Sequence, residues 1–559
     1  MLRRQTFLLL LLFCFAFGAA AQNRAADTAS AISTNDHGDP LLRAMLTELR
    51  RSQQKLQLGE FQRPFYIDYQ LLEVQEYYVD ARLGALTRDQ SSVNRYVHVV
   101  VRIGDYKHDS FFREGTGSLE VMPIENNELA LRHQLWLATD KAYKAALTGM
   151  TAKDAMLKNV VTERTMPDDF SHEPPVDVVM DLPKLGTQVD TWKQVMRSTS
   201  DLFRADPALD VSEASLHFRI VNRYYVNTEG TVTRSGNVVY TISFAGSGPA
   251  PDGTRLDRSH AYFVSQANEL PKPEDIEREA RKRIASFAAL RKAPTIEDDY
   301  HGPVLFSADA ATALLDDLFV PNILATRPEP GSSARVRGEY SSYYKGRVLP
   351  DFFTVVDDPR PQRLDGVTLL GSYGVDDEGV KAEPVTVIDK GVLVNYLLGR
   401  EPIRDFAHSN GRGRAVFLGS PSPQISNLIF KAANGVSFDD LKKKLIEMCR
   451  DQGRPYGYFV ETTGPNLTPR LLWRVYVNDG HMELVRGATF NELDTRTLRT
   501  DIIAAGNDQY IYNLPEPLPR SIVAPSLLFG DLEIQKAEAT RETQPQYPAP
   551  PLKPHSRIQ

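Results

Sequence analysis

The chain has 559 residues, of which 42% are apolar and 25% charged, with a formal net charge of −7 and two cysteines. That length suits roughly two to four domains with a sizeable core, and the ordinary apolar and charged fractions exclude a largely disordered chain. The acidic balance leaves no electrostatic footprint for nucleic acid or an anionic membrane.

The opening "MLRRQTFLLLLLFCFAFGAAAQ" sets Arg3 and Arg4 before an apolar run from Phe7 to Phe17 and ends in Ala19-Ala20-Ala21. A basic start, an apolar middle and small closing residues make a secretory leader at 1–21, with cleavage expected after Ala21. The run of 11 residues is too short to span a bilayer, and the bulky neighbours of Cys14 do not suit lipid modification. The expectation is an exported protein, periplasmic or extracellular, made more acidic by the loss of Arg3 and Arg4. Cys449 is then the sole cysteine, so no intramolecular disulfide can form and stability must come from packing.

Residues 22–39 are small, polar and without period, as in a flexible leader, and the Pro-rich stretch 536–559 reads as a disordered tail. Between them the pattern predicts an α+β protein of two domains. In the first, 40–292, apolar residues at Leu42, Met45, Leu46 and Leu49 predict a helix. "YYVDARLGAL" and "RYVHVVVRIG" predict strands, and two helices are expected near 126–148 and 151–164. After a Pro-interrupted stretch, "SLHFRIVNRYYVNTEGTVTRSGNVVYTISFAG" alternates as a meander does, with turns expected at Glu229-Gly230 and at Ser235-Gly236-Asn237. A helix over about 274–291, with Ile276, Ala280, Ile284 and Phe287 on one stripe, closes the domain.

The second domain, 293–535, reads as a largely antiparallel sheet with helices. Hairpins are predicted to turn at Asp389-Lys390-Gly391 and at Asn478-Asp479-Gly480, where glycine supplies the positive φ. Ser437 and Asp440 have capping-box spacing at the head of the helix that carries Cys449, which reads as a buried small apolar residue rather than a nucleophile.

Within 348–430 a strand ends in "DDP" (357–359), followed by a Gly-punctuated loop, "DDEG" (376–379), a hairpin, "SNGRGR" (409–414) and a Pro-rich approach to Ser-Asn-Leu. This order, with "RSIVAPSLLFGDLEI" (520–534) as a closing strand, resembles the C-terminal domain of the TldD/PmbA family of metallopeptidase-related proteins. Before residue 300 only the helix-and-hairpin layout and "RYYVNTEG" agree with that family. The resemblance implies two α+β domains, pairing into dimers, and the cleavage or handling of unfolded peptides. Catalytic members hold zinc with a His-Glu-x-x-x-His helix and a cysteine near the C-terminus, and a metal-bound water does the chemistry.

In "VLFSADAATALLDDLFVPNIL" the positions of the first His and the Glu fall on Asp316 and Asp317, and the second His on Pro321. Proline presents no ligand, and "AAGNDQYIYNLPEPLPRS" holds no cysteine. The expectation is a degenerate metal site with no cofactor. Asp316 and Asp317 stay open as a solvated helix end, an acid and base pair, or part of a hard-cation site; consecutive helical residues point about 100° apart and do not face each other. A zinc site could otherwise be assembled only from distant histidines such as His301, His408 and His481. "DDEG", through Asp376, Asp377 and Glu378, is a peptide-binding loop or an acidic turn. "SNGRGR", through Arg412 and Arg414, is a carboxylate or main-chain cradle or a solvated loop.

The leading reading is an exported, non-catalytic, peptide-binding partner in proteolysis. It would take extended or unfolded peptides, by strand addition to a sheet edge, and form a homodimer or a heterodimer with a zinc-bearing relative. An active zinc metallopeptidase with non-standard ligands, and a metal-free periplasmic binding or scaffold protein, are the alternatives.

Overall fold

A computed structural model describes residues 32–112, 116–160, 167–417 and 419–538. The expected secretory leader, residues 22–31 and most of the expected tail lie outside these; the end of the stretch expected to be flexible, 32–39, is packed instead, with Ile32 in the core and Asp39 capping the first helix. Among the described residues no helix is long and apolar enough to cross a membrane.

The first domain is built on one seven-stranded sheet. Its long strands, Tyr66–Arg82, Ala85–Arg102, Val211–Asn227 and Val232–Pro249, pair antiparallel, with Ser118–Val121, Asp177–Val179 and Arg255–Val264 completing it. Side chains alternate across a strand, so each strand has two faces with different tasks. Tyr69, Leu71, Val97, Val99, Tyr224 and Val226 point into a core with the helices Pro40–Lys55 and Glu128–Leu157. Further along the same face, Val79, Leu216, Phe218, Tyr240 and Phe244 meet Trp192, Met196 and Phe287 from the helices Val189–Asp201 and Pro273–Lys292. All four helices therefore cover one face, and the opposite face is left for other use.

The second domain has its own core. A six-stranded sheet and a seven-stranded sheet enclose the helix Ala308–Leu318, and the helix Phe438–Asp451 packs outside the second of them. Phe306 and Val304 face inward while Leu305, between them, faces the outer helix and Cys449, which is fully buried. The domain is largely antiparallel as expected, with two parallel pairs, Asn427–Ala432 with Arg520–Ala524 and Tyr456–Thr463 with Tyr300–Phe306.

Both glycine-bearing hairpins form: Lys390 and Gly391 sit at φ 47° and 79°, and Gly480 at 71°. Ser437 caps its helix, its hydroxyl accepting from the Asp440 N–H at 3.2 Å. Four further expectations are corrected. Helices near 126–148 and 151–164 are one helix, Glu128–Leu157, because Ala146, Gly149 and Lys153 continue one buried stripe across the expected break; the expected end near 164 lies outside the described residues. The helix Val189–Asp201, not anticipated, follows a Pro-rich approach that masked its pattern. The closing stretch 520–534 is two strands, Arg520–Ala524 and Leu527–Lys536, which join different sheets.

The fourth correction is at Ser235-Gly236-Asn237, which lies inside the strand Val232–Pro249 and makes no turn. Gly236 serves close approach instead: a Cβ there would lie 2.3 Å from Pro183 Cδ and 2.7 Å from Asn222 Oδ1. Replacing Gly236 by Ala is expected to destabilise the first domain by about 1–3 kcal/mol, the usual cost of overpacking. A urea midpoint indistinguishable from the parent would refute that contact.

Candidate functional site

The helix Ala308–Leu318 starts at Ser307, whose hydroxyl accepts from Ala310 N–H at 3.1 Å. It stops at Leu318, and Pro321 stands exposed in the short turn Val320–Ile323 that follows. Asp317 is exposed, whereas Asp316 turns to Arg520 of the six-stranded sheet, 3.2 Å away. The two carboxylates thus have separate surroundings and do not act as one pair. Among the described residues no three His, Cys, Asp or Glu side chains gather to hold a metal ion. His301, His408 and His481 lie apart, beside Glu533, Glu173 and Asp479 respectively. Cys449 sits in the outer core against Tyr300, and burial pushes its thiol pKa up. The residues on this helix do not fit a zinc ion.

"DDEG" and "SNGRGR" come together as one buried network instead of two surface loops. Asp376 accepts from the N–H groups of Glu378, Val380 and Gly413 at 2.8–3.0 Å. Asp377 accepts from Arg414 Nε at 3.0 Å and from Ala415 N–H at 2.8 Å, and the Arg414 guanidinium lies 4.1 Å over the Tyr373 ring. Arg412 is 0% exposed; it donates to the carbonyls of Asn410, Asp357 and Glu383 and pairs with the carboxylate of Asp357. Arg412 therefore cannot touch a peptide, which corrects its expected role: its donors are engaged by the protein itself. Glu378 is likewise turned inward, accepting from Arg400 N–H at 2.7 Å.

Arg400, 1% exposed, reaches from the second domain into the first. It donates to Glu229 at 2.8 Å, to the Ser171 carbonyl at 3.1 Å and to Tyr66 Oη at 3.2 Å, with its guanidinium 3.9 Å over Phe170. Tyr225 returns the contact, donating to the Glu378 carbonyl at 3.1 Å. Burial pushes Asp376 and Glu378 above the usual carboxylate range, with the charge of Asp377 adding to it at Asp376 and that of Asp376 at Glu378. Asp68, 5% exposed with Oδ1 unpartnered, is pushed up to about 7, burial being the main cause.

Beside this joint the bare face of the first sheet forms the floor of a groove. Glu76 and Tyr78, Tyr96, and His217, Arg219 and Arg223 share that face, and Phe417 and the stretch 515–519 of the second domain rise as walls. The cavity at its middle measures about 120 Å³. Pro519 lines it, and the next residue, Arg520, is the partner of Asp316 on the helix Ala308–Leu318.

A two-domain α+β protein with an interdomain groove is the class that fold and site define. Residues 299–536 match the PmbA/TldA metallopeptidase C-terminal domain. A metalloprotease of Methanocaldococcus jannaschii is 38% identical over 96 residues, 17% of this chain and 20% of that one. The metalloprotease PmbA homolog of Haemophilus influenzae is 24% identical over 298 residues, 50% of this chain and 62% of that one. The matches thus span less than two thirds of these relatives. In fold, TldE from Thermococcus kodakarensis superposes with a TM-score of 0.58 at 12% identity, over 88% of this chain and 99% of that one. A Thermotoga maritima protein described as a candidate modulator of a DNA gyrase gives 0.57 at 17% identity, over 84% and 96%. The second domain is thus a PmbA/TldA-type C-terminal domain, and the chain as a whole shares the fold of TldE.

Sequence reasoning missed Arg400, Asp68 and the groove floor. The floor had a signal: His217, Arg219 and Arg223 fall on alternate positions of one strand, giving it a cationic face. Arg400 had none, because its partners lie far away in sequence.

Two outcomes test this account. Arg412→Ala is expected to cost about 3–5 kcal/mol, since it strands Asp357 in the core; an unchanged denaturation midpoint would contradict the network. For Asp68 the folded pKa lies above the unfolded one, so its penalty is absent at low pH and grows as pH rises from the unfolded value towards about 7. Asp68→Asn is therefore expected to match the parent below about pH 4 and to gain about 1–3 kcal/mol at pH 8. Equal stability of the two proteins across that range would remove Asp68 from the account.

Proposed function

We propose that this chain is an exported, non-catalytic TldD/PmbA-type subunit that holds extended peptides in the interdomain groove and works beside a zinc-bearing relative. The observation that carries the reading is the groove itself: an uncovered sheet face, walled by the second domain, leading to a helix with Asp316, Asp317 and Pro321 where the family's catalytic members have ligands. The names of the curated relatives, metalloproteases, support peptides as the class handled. A face lined with tyrosines, aliphatics and arginines suits main chain and mixed side chains better than a compact small molecule. The groove lies over the face of the sheet, so side chains of the floor, rather than a free edge, would meet the peptide. The paired subunit would supply the metal and the activated water, and this chain would hold the peptide in register.

The purified chain is expected to carry well under one zinc by elemental analysis, to bind an unfolded peptide, and to show no chelator-sensitive cleavage. Co-expression with a relative bearing His-Glu-x-x-x-His is expected to give a heterodimer with peptidase activity, its interface above about 1,000 Å². One tightly held zinc per chain together with chelator-sensitive cleavage by the isolated protein would overturn the reading.

A further inference from the structure

The groove is not uniform along its length. From His217 to Arg223 the floor strand advances about 20 Å, room for roughly six extended residues. The end near Tyr78 and Asn94 is open. The other end is shut: beyond Arg223, Tyr225 donates to the Glu378 carbonyl at 3.1 Å and shares a 2.7 Å hydrogen bond with Tyr66. Ala415, Asp377 and Phe417 close the sides there.

The closed end holds more positive charge than its partners neutralise. Arg223 and Arg414 face a single ionised partner, Asp377, whose oxygens already receive Arg414 Nε at 3.0 Å and Ala415 N–H at 2.8 Å. Arg223 reaches that carboxylate only at 3.6 Å. Its one hydrogen bond runs from Nη1 to the neutral Asn237 Oδ1 at 2.9 Å, leaving Nη2 without a partner among the described residues. Asp376, the other nearby acid, is turned onto three backbone N–H groups. Burial lowers the Arg223 pKa to about 10, with Asp377 opposing the shift and Arg414 and Arg219 adding to it. Arg219 differs: its Nη1 is paired with Glu516 at 2.7 Å.

Resting on the peptide-groove reading, we propose that Arg223 is a carboxylate-binding residue and that the groove takes peptides by their free C-terminus, the terminal carboxylate seated on Arg223. The dead end selects a terminus over an acidic side chain, because a chain whose Asp or Glu reached Arg223 would have to continue through the Tyr225–Glu378 contact. A guanidinium with an open Nη edge offers the fork that a carboxylate fills with two parallel hydrogen bonds.

The test uses the full chain and three fluorescent peptides of one sequence: with a free C-terminal carboxylate, with a C-terminal amide, and with an amide plus an Asp near the end. Fluorescence anisotropy is expected to give at least about tenfold tighter binding for the free acid than for either amide. Arg223→Gln should reduce that preference to near unity. Asn237→Asp keeps the arginine but gives it an internal carboxylate, and should abolish the preference even where Arg223→Gln fails to fold. Equal binding of acid and amide by the parent overturns the carboxylate role and leaves the peptide groove standing. An Asp-bearing amide that binds as tightly as the free acid overturns terminus selection. Failure of all three peptides to bind overturns the groove reading and this inference together.

Discussion

A single buried arginine sets the relation between the two domains. Arg400 is carried by the second domain but finds its partners, Glu229, the Ser171 carbonyl and Tyr66, in the first. Burying a guanidinium costs several kcal/mol unless pairing and hydrogen bonds offset it, so the arrangement is stable only when both domains present their groups together. Specific geometry follows from that requirement more than net stability does. Glu378 and Tyr225, which bond across the same joint, inherit their positions from it, and the shut end of the groove lies where they meet.

The groove's floor depends on a second constraint, the alternation of side chains along a strand. An antiparallel sheet can keep one face dry and give the other to water. Here the dry face takes all four helices of the first domain, and the other face carries Arg219, Arg223, Tyr78 and Tyr96. Phe417, from the second domain, meets Tyr96 edge-on at 5.1 Å, so the wall is seated on the floor.

How much of this was legible in the sequence follows from the range of the interactions. The helices at 40–55, 273–292 and 438–451 and the hairpins at Gly391 and Gly480 are written in local periodicity, caps and turn residues, and they stand where the pattern put them. The Ser235-Gly236-Asn237 turn failed because a glycine that admits Pro183 looks, in one dimension, the same as a glycine that turns a chain. "SNGRGR" failed for a related reason. Glycines and arginines in a loop read as a solvated cradle until Asp357, Asn410 and Glu383 are seen to enclose Arg412. The family was legible because its signal lay in the order of segments, which needs no long-range contact. Arg400 was not, since Glu229 lies 171 residues away.

The helix Ala308–Leu318 separates packing from polar contact. Asp316 faces Arg520 across to the neighbouring sheet, with its side chain 23% exposed. A half-exposed pair of this kind contributes at most about 1 kcal/mol, too little to organise the helix. The helix keeps its place through Leu314, Leu315 and Phe319, buried in the core between the two sheets. Packing and chemistry therefore rest on different residues of one element. The apolar stripe holds the helix between the sheets whatever the polar positions carry, so those positions can change without disturbing the fold.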